Sequence, residues 1–262
     1  PENPGQRKKQ SNIDVDFDNS TIKLPKIKWV KCKLHRKFEG KIKSATISQV
    51  SSGKYFVSVL VETDHIPYET TGDIVGIDLG ITDLLVTSDG KKFDNVKATK
   101  TYENKLAKEQ RKLSKKQLGS SNWHKQRIKV ARIHEKIRNV RIDNLHKISH
   151  KLINENQAIV SEDLSVSNMV KNHNLAKAIS DCGWCELTRQ LTYKAKWNKR
   201  KYIKIDKFYA SSQTCSECGY VNGAVKDLSI REWKCPSCKT SHDRDINAAK
   251  NILNEGIKLL VP

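Results

Sequence analysis

The stretch DIVGIDLGITDLLVTSDG, residues 73–90, places an acid inside an otherwise apolar strand. The β-branched run Ile74–Ile77 predicts an interior strand, and Leu84–Val86 predicts a second strand that ends at the turn Ser88–Gly90. A buried carboxylate without a partner is costly. Asp78 is therefore either a salt-bridged or solvent-edge residue or a metal ligand on a rigid strand, and further acids in similar positions would favour the metal.

Charge is the strongest feature of the composition. The 262 residues include 49 Lys and Arg against 29 Asp and Glu, a net charge of +20. Such an excess indicates a polyanionic partner, most simply a nucleic acid. A basic membrane-surface protein is the competing interpretation, but no run of ~18 apolar residues predicts a membrane span. The polar start PENPGQRKKQSN predicts no signal peptide, and seven cysteines without one favour a reducing compartment.

Hydrophobic periodicity gives a coarse outline of the chain. Residues 1–20 are polar and basic, and we expect them to be flexible. Residues 21–70 alternate apolar and basic side chains and predict a small antiparallel β unit. Apolar steps of three and four predict two long helices between 101 and 155, the second capped by Ser121 or Asn122. A short strand, one helix at about 175–198, another strand and a final helix follow.

The predicted long helices carry most of the excess charge. Residues 91–155 contain 19 Lys and Arg against 6 Asp and Glu. A solvated helix surface normally mixes both signs, so we interpret this surface as phosphate-binding. The candidate nucleic-acid-binding residues are Lys105, Lys108, Arg111, Lys112, Lys115, Lys116, Arg127, Arg138 and Arg141.

Two further acids stand in positions like that of Asp78. Glu162 follows an apolar strand in AIVSEDLS, with Asp163 as the neighbouring alternative. HDRDINAAKNI places Asp243 and Asp245 at a helix start, where an acid is usually a cap or a dipole partner. The small residues that follow allow close packing against a strand. Three such carboxylates would suit Mg²⁺, and two ions ~3.5–4 Å apart can support phosphodiester hydrolysis.

Four cysteines have the spacing of a structural zinc site. They form the pattern C-x₂-C-x₁₆-C-x₂-C with Cys215, Cys218, Cys235 and Cys238. Four thiolates leave no open coordination position, so this zinc would be structural; a reduced-thiol or redox cluster is the alternative. Cys182 and Cys185 lack a second pair, and we expect them and Cys32 to be packing residues. Trp233 either packs or stacks on a base.

The order of these motifs resembles the transposon-encoded TnpB family, the compact relatives of the type V CRISPR effectors. The likeness runs from about residue 20 to 253 through GIDLGI, the basic helices, IVSEDLS, the cysteines and DRDINAAKNIL. It implies an α/β fold with an RNase H-like RuvC nuclease domain at 71–209 and 242–262. A zinc-ribbon, target-nucleic-acid-binding insertion would lie at 210–241, and part of a wedge (OB-like) β-barrel at 21–70.

The resemblance also implies an RNA-guided DNA endonuclease of a transposon. Asp78, Glu162 and Asp245 become its catalytic acids and ligands of Mg²⁺ or Mn²⁺; within DRD, the family places its acid two residues before the Asn of NAA. The implied partners are a guide RNA from the transposon end and double-stranded and single-stranded target DNA, and the implied location is cytoplasmic, at the prokaryotic nucleoid. We expect the family's N-terminal recognition lobe to be missing from this chain, so that the chain is a fragment or the lobe is supplied by a partner chain or by RNA.

Two other function classes fit part of the pattern. A nuclease-inactive, repressor-like protein, or a fragment that binds RNA or DNA without targeted cleavage, would keep the basic surface, although three intact acids argue against it. A strand-transfer transposase would also need carboxylates and metal. Hydrolysed ends, uncut DNA and joined strands would distinguish the three classes.

Overall fold

The computed structural model describes residues 12–260, and the chain forms two compact units, 1–66 and 67–262. Residues 1–11 of the segment expected to be flexible lie outside the described residues. Within its remainder, Asp14–Asp16 forms a strand, so the expectation of flexibility is wrong there. The reason is local pairing, because Asp14–Asp16 aligns with Thr21–Lys23 in an antiparallel ladder.

The first unit consists of two small antiparallel sheets. One contains β1 (Asp14–Asp16), β2 (Thr21–Leu24) and β3 (Lys28–Lys31) in that order, and the other is the hairpin of β4 (Lys41–Gln49) and β5 (Tyr55–Glu62). The alternating pattern thus predicted antiparallel pairing correctly. Cys32 lies just after β3, half-buried, and not within a strand. The described strands form two sheets and no closed barrel, so the wedge-barrel assignment stays a prediction.

The second unit is built on one five-stranded mixed sheet. Its strands are β6 (Ile74–Leu79), β7 (Asp83–Thr87), β8 (Lys92–Asp94), β9 (Ala158–Glu162) and β10 (Lys201–Ile205). The spatial order is β10-β9-β6-β7-β8; β6, β9 and β10 run parallel, and the β6–β7 and β7–β8 pairs are antiparallel. The parallel strands are apolar because helices cover both of their faces.

Six α-helices accompany the strands within residues 12–260. They are α1 (Ala98–Ser114), α2 (Ser121–Glu155), α3 (Val166–Met169), α4 (His173–Cys182), α5 (Trp184–Trp197) and α6 (Arg244–Leu260). The cap of α2 is Ser120, whose hydroxyl accepts the backbone N–H of Trp123 at 3.2 Å, so both predicted caps are wrong by one or two residues. No helix within residues 12–260 is both long and apolar enough to cross a bilayer.

The helix predicted at about 175–198 is in fact the pair α4 and α5. Gly183 separates them in a left-handed conformation with φ of 71°. A side chain there would also press against Arg141 and Leu145 of α2. The apolar periodicity continues across this break, which is why the sequence pattern did not show it.

The core of the second unit lies on one face of the sheet, between the strands and helices α2, α4 and α5. Its largest fully buried side chains include Ile77, Leu85, Leu145, Ile159 and Leu187. Helix α6 packs against β6, β7, β9 and β10, where Val160, Ile205 and Ile252 form a separate buried cluster. The four cysteines with zinc-site spacing follow β10 and precede α6 in the sequence, in a segment that also contains β11 (Glu232–Lys234) and β12 (Ser241–Asp243).

Two glycines allow α6 to approach the sheet closely. A Cβ at Gly76 in β6 would overlap the backbone oxygen of Ala249, and one at Gly256 would overlap the side chain of Val160.

We expect Gly76→Ala to lower the free energy of unfolding by about 1–3 kcal/mol, since rigid backbone leaves no room for the methyl group. Urea denaturation followed by circular dichroism measures this. The control is Gly223→Ala, because nothing lies within 4 Å of a Cβ there; equal stabilities of the two variants would contradict this packing account.

Candidate active site

Three acids from distant parts of the sequence line one cleft at the carboxyl ends of the parallel strands. Asp78 lies near the end of β6, and Glu162 is the last residue of the adjacent parallel strand β9. Asp245 lies in the first turn of α6, which packs against both strands. All three border a cleft of about 260 Å³. The structure therefore brings together the three acids that were singled out in the sequence.

The three carboxylates share the cleft without forming a tight cluster. Within residues 12–260, only the four cysteines form a group of three or more His, Cys, Asp or Glu residues with all ligand atoms within 4.8 Å of one another. The three acids are spaced more widely than this.

The environment of the cleft disfavours negative charge on Asp78 and Glu162. Burial, followed by repulsion from Glu162 and Asp245, raises the pKa of Asp78 to about 7, although nearby Arg244 partly offsets the increase. Burial also raises the pKa of Glu162, against the hydrogen bond from Ser211. Their oxygens are hard ligands of the kind that Mg²⁺ and Mn²⁺ prefer. The residues present therefore fit a divalent cation, which would supply the missing positive charge.

The neighbouring acids that the sequence left as alternatives are engaged elsewhere. One carboxylate oxygen of Asp243 accepts the backbone N–H groups of Asp245 and Ile246 at 3.0 and 3.1 Å, so Asp243 caps α6. Its other oxygen lies 2.8 Å from Lys92 Nζ. Asp163 is exposed and pairs with Lys204 at 2.8 Å. This geometry favours Glu162 over Asp163 and Asp245 over Asp243 as the cleft-lining acids.

Sequence reasoning missed two residues that contact the acids. The hydroxyl of Ser211 hydrogen-bonds Glu162. Arg231 Nη1 lies 3.4 Å from both carboxylate oxygens of Asp245. Both residues belong to the segment around the cysteines, and only the tertiary fold places them at the cleft. The position of Ser211 a few residues before Cys215 was the one local signal in the sequence.

The cysteine cluster has the geometry of a structural zinc site. The Sγ atoms of Cys215 and Cys238 are 3.6 Å apart, as are those of Cys218 and Cys235. A tetrahedral zinc with Zn–S bonds of ~2.3 Å separates its sulfurs by about 3.8 Å, whereas a disulfide needs ~2.05 Å. The four thiols therefore fit zinc, as the spacing predicted.

Two ring side chains beside the cysteines, Trp233 and His242, are buried. The Trp233 side chain is only 8% exposed and contacts Cys215, Val225 and Cys235. This supports the packing alternative for Trp233. His242 Nε2 lies 3.1 Å from the Sγ atom of Cys215, and the His242 ring lies 4.8 Å from that of Trp233.

Two buried asparagines of α6 hydrogen-bond the backbone around Cys215. Asn247 accepts the backbone N–H of Ser216 at 2.9 Å and donates to the backbone oxygen of Thr214 at 2.7 Å. Asn251 donates to the backbone oxygens of Ser211 and Thr214. The helix that carries Asp245 is therefore joined by buried hydrogen bonds to the segment that carries Cys215 and to the residue that contacts Glu162.

The other two cysteines behave differently from each other. Cys182 is buried in the core, as predicted, and accepts a hydrogen bond from Asn95 Nδ2 at 3.4 Å. Cys185 is exposed, so its prediction as a packing residue is wrong. The cause is the break at Gly183, which restarts the helical phase between the two cysteines.

The candidate phosphate-binding residues lie on α1, on α2 and in the turn between them. The exposed ones are Lys105, Lys108, Arg111, Lys112, Lys115, Arg127 and Arg138, while Lys116 is half-buried. Arg141 does not fit the prediction of a surface residue, because its half-buried guanidinium pairs with Asp181 at 2.7 Å and donates to Thr99 Oγ1 at 3.1 Å. Arg141 is thus a structural link between α2 and α4. For the other eight residues, nucleic-acid binding stays a prediction.

The raised pKa of Asp78 has a consequence for stability. Between pH 4 and 7, the folded state keeps a proton on Asp78 that the unfolded chain loses, so this group stabilises the fold at low pH and ceases to do so as the pH rises through 7. We expect Asp78→Asn to raise the Tm of the magnesium-free protein at pH 8 by about 2–8 °C. The gain should shrink as the pH falls to 4, which calorimetry measures. A gain independent of pH would show that the buried negative charge of Asp78 is not its cause.

Two family models match different parts of the chain. A model described as a probable transposase (OrfB_IS605) matches residues 56–173. A model described as a Cas12f1-like TNB domain matches residues 184–252, which include the cysteines and most of α6. Together, the two matched segments contain all three cleft acids.

Curated relatives match most of the chain. Several of them, including the two described here, carry the name "Putative RNA-guided DNA endonuclease". The Streptomyces pristinaespiralis protein is 46% identical over 82% of this chain and 53% of its own length. The Escherichia coli K12 protein, InsQ, is 35% identical over 95% of this chain and 65% of its own length. The chain thus spans between about half and two thirds of these relatives.

A solved structure shares the fold. A protein chain in the cryo-EM structure of a Cas12f1–sgRNA–target DNA complex superposes with a TM-score of 0.52 over 81% of this chain and 56% of that one. Its sequence identity of 18% limits the comparison to the fold. The family models, the named relatives and this shared α/β fold agree with the resemblance seen in the motifs, and the chain belongs to the TnpB (OrfB-type) family of transposon-encoded proteins.

Proposed function

We propose that this chain is the catalytic part of an RNA-guided, metal-dependent DNA endonuclease. The observation that carries the proposal is the cleft in which Asp78, Glu162 and Asp245 meet from three separate elements. Acids placed on rigid strand ends and on a helix held by buried hydrogen bonds would hold divalent cations, and through them a reacting phosphate group, in one geometry. The names of the relatives and the net charge of +20 support a nucleic acid as the substrate.

The proposed nuclease domain is RNase H-like and of the RuvC type. Its support is the sheet order β10-β9-β6-β7-β8, with antiparallel β6–β7–β8 and parallel β6, β9 and β10. We assign residues 71–209 and 242–262 to this domain and residues 210–241 to a target-nucleic-acid-binding insertion. Residues 21–70 would belong to a wedge domain.

Asp78, Glu162 and Asp245 would hold Mg²⁺ or Mn²⁺, and Cys215, Cys218, Cys235 and Cys238 would hold a structural zinc. Divalent cations at such a site supply an activated water and neutralise charge on the phosphate and on the leaving oxygen. The protein's own residues fix the acids in place: Ser211 orients Glu162, and Arg231 balances the charge of Asp245. Asp243 caps α6 and so fixes the turn that carries Asp245.

The exposed basic residues of α1 and α2 would hold the guide–target duplex by its phosphates. In RNA-guided recognition, base pairing reads the sequence while the protein contacts the backbone. Such contacts give an affinity that falls steeply with salt. A guide RNA from the transposon end and double-stranded target DNA are the proposed partners; the relatives' names support an RNA guide and a DNA target.

One observation favours a second candidate function. The family model that matches residues 56–173 is described as a probable transposase, and strand transfer would also require acids and metal. A nuclease-inactive, RNA-guided binding protein is the third possibility, against which the three acids at one cleft argue.

The experiment is a cleavage assay with product analysis. The protein is expressed beside its native transposon end, purified with its bound RNA, and incubated with Mg²⁺ and a target flanked by random sequence. Hydrolysed ends in guide-matched DNA are the expected result. Joined strands would instead establish strand transfer, and retained RNA without any cut would establish a binding-only protein.

A further inference from the structure

The loop at residues 206–210 connects β10 to the cysteine segment and is attached to Glu162 at both ends. Before the loop, Ile205 lies opposite Glu162 in the sheet, and its backbone oxygen accepts the N–H of Asp163 at 3.2 Å. After the loop, Ser211 hydrogen-bonds the Glu162 carboxylate. The loop therefore lies at the rim of the candidate active site.

Hydrogen bonds within the loop hold it in one conformation. The Asp206 carboxylate accepts the backbone N–H of Phe208 at 2.7 Å, and the Asp206 backbone oxygen accepts that of Tyr209 at 3.2 Å. Tyr209 is partly buried and packs with the cluster of Val160, Ile205 and Ile252 under α6. A loop anchored in this way presents its remaining side chains in fixed positions.

The side chain presented by this loop is a phenylalanine. Phe208 is 83% exposed, the most exposed of the large aromatic side chains within residues 12–260. Lys207 places its ammonium 4.8 Å from the centroid of the Phe208 ring. A single exposed apolar residue is common on protein surfaces, but this one lies on a hydrogen-bonded loop that leads into Ser211 at the cleft, and Lys207 lies against its ring.

We propose that Phe208 stacks against an unpaired base of the DNA strand whose phosphate enters the cleft. The inference rests on the proposed function, because it assumes that this cleft receives a nucleic-acid strand. Phe208 is three positions before Ser211 in the chain, so their Cα atoms are at most about 11 Å apart. That span corresponds to about three stacked nucleotides at ~3.4 Å each. Phe208 thus contacts a base within a few nucleotides of the bound phosphate, and Lys207 faces the adjoining backbone.

Single-stranded DNA is the ligand that this arrangement fits. Aromatic side chains bind the faces of unpaired bases with little dependence on sequence, and a nearby cation binds the backbone. Within a duplex, the same base faces are covered by their neighbours. Phe208 would therefore favour an unwound strand at the cleft over a paired one.

Binding measurements test the contact without any cleavage. The zinc-loaded chain, without added magnesium, is titrated into a fluorescent oligothymidine and into an abasic oligonucleotide of equal length. We expect Phe208→Ala to weaken oligothymidine binding about 5- to 100-fold and to leave abasic binding within about twofold, because the abasic strand has no base to stack. Phe208→Trp should restore the affinity. Trp197→Ala is the control. Trp197 precedes the start of β10, whereas Phe208 follows its end, where Ile205 lies opposite Glu162.

Equal losses on both oligonucleotides, an unchanged affinity in Phe208→Ala, or no binding of the wild-type chain to either strand would overturn the proposal. Base-dependent binding through Phe208 in a protein that never cuts guide-matched DNA would contradict the proposed nuclease function and leave this contact standing. If the protein cuts guide-matched DNA and Phe208→Ala changes neither cutting nor oligothymidine binding, the proposed nuclease function would stand and the Phe208 contact would be refuted.

Discussion

Asp78→Asn should abolish guide-dependent DNA cleavage, lowering the rate by roughly 10³-fold or more. The substitution keeps the shape of the side chain but removes one of three carboxylates in the cleft, and with it the negative charge that this ligand offers the divalent cation. RNA and DNA binding should stay within about twofold of the wild type, because Asp78 contributes no positive charge to the basic surface. Initial cleavage rates and gel-shift affinities measure the two effects separately.

The matched control for this prediction is Asp83→Asn. Asp83 borders the same cleft, on β7, but is not one of the three proposed ligands. Its variant should cut within about tenfold of the wild-type rate. If Asp78→Asn and Asp83→Asn cleaved DNA at similar rates, only the total negative charge of the cleft would matter. The specific role assigned to Asp78 as a metal ligand would then be wrong.

Cys235→Ser should release zinc and disable the carboxylate cleft at the same time. Cys235 is a buried member of the thiol cluster, and its loss should weaken zinc binding more than roughly 100-fold. Zinc held by the folded state contributes directly to folding, so the cysteine segment should lose its structure. Zinc content by mass spectrometry and the free energy of unfolding report these changes.

The effect on the cleft follows from the buried hydrogen bonds of Asn247 and Asn251. These bonds join α6 to Thr214 and Ser211, so disorder around Cys215 would free the turn that carries Asp245. We therefore expect Cys235→Ser to weaken Mn²⁺ binding at the carboxylates about tenfold or more. Cys185→Ser is the control, because Cys185 is exposed and outside the cluster. Zinc loss with unchanged Mn²⁺ affinity would show that the two sites are independent.

The sequence was informative where a functional requirement leaves a local pattern. Asp78 interrupts an apolar strand, and the paired cysteines have a spacing that few other structures require, so both sites could be predicted. Asp245 was separated from Asp243 only by resemblance to a family, and the structure adds the physical reason, which is that Asp243 caps the helix.

The remainder depends on tertiary contacts that leave no local pattern. Ser211 and Arg231 meet the acids only because the cysteine segment folds back onto α6. Nothing in the sequence distinguishes Arg141 from the exposed arginines of the same helix. It is half-buried because its guanidinium pairs with Asp181, 40 residues away. Apolar periodicity also continued across Gly183, where only a left-handed backbone conformation divides the helix.

The most direct test of the account is a Mn²⁺ titration of the zinc-loaded chain at pH 8, followed by electron paramagnetic resonance. The wild type should bind Mn²⁺ in competition with Mg²⁺, and Asp78→Asn, Glu162→Gln and Asp245→Asn should each weaken that binding about tenfold or more. Asp83→Asn should stay within about threefold of the wild type, and so should Asp243→Asn, because an asparagine amide oxygen still accepts the N–H groups at the start of α6. Mn²⁺ binding that is equal in the wild type and in all five variants would contradict the claim that the three acids form one cation site.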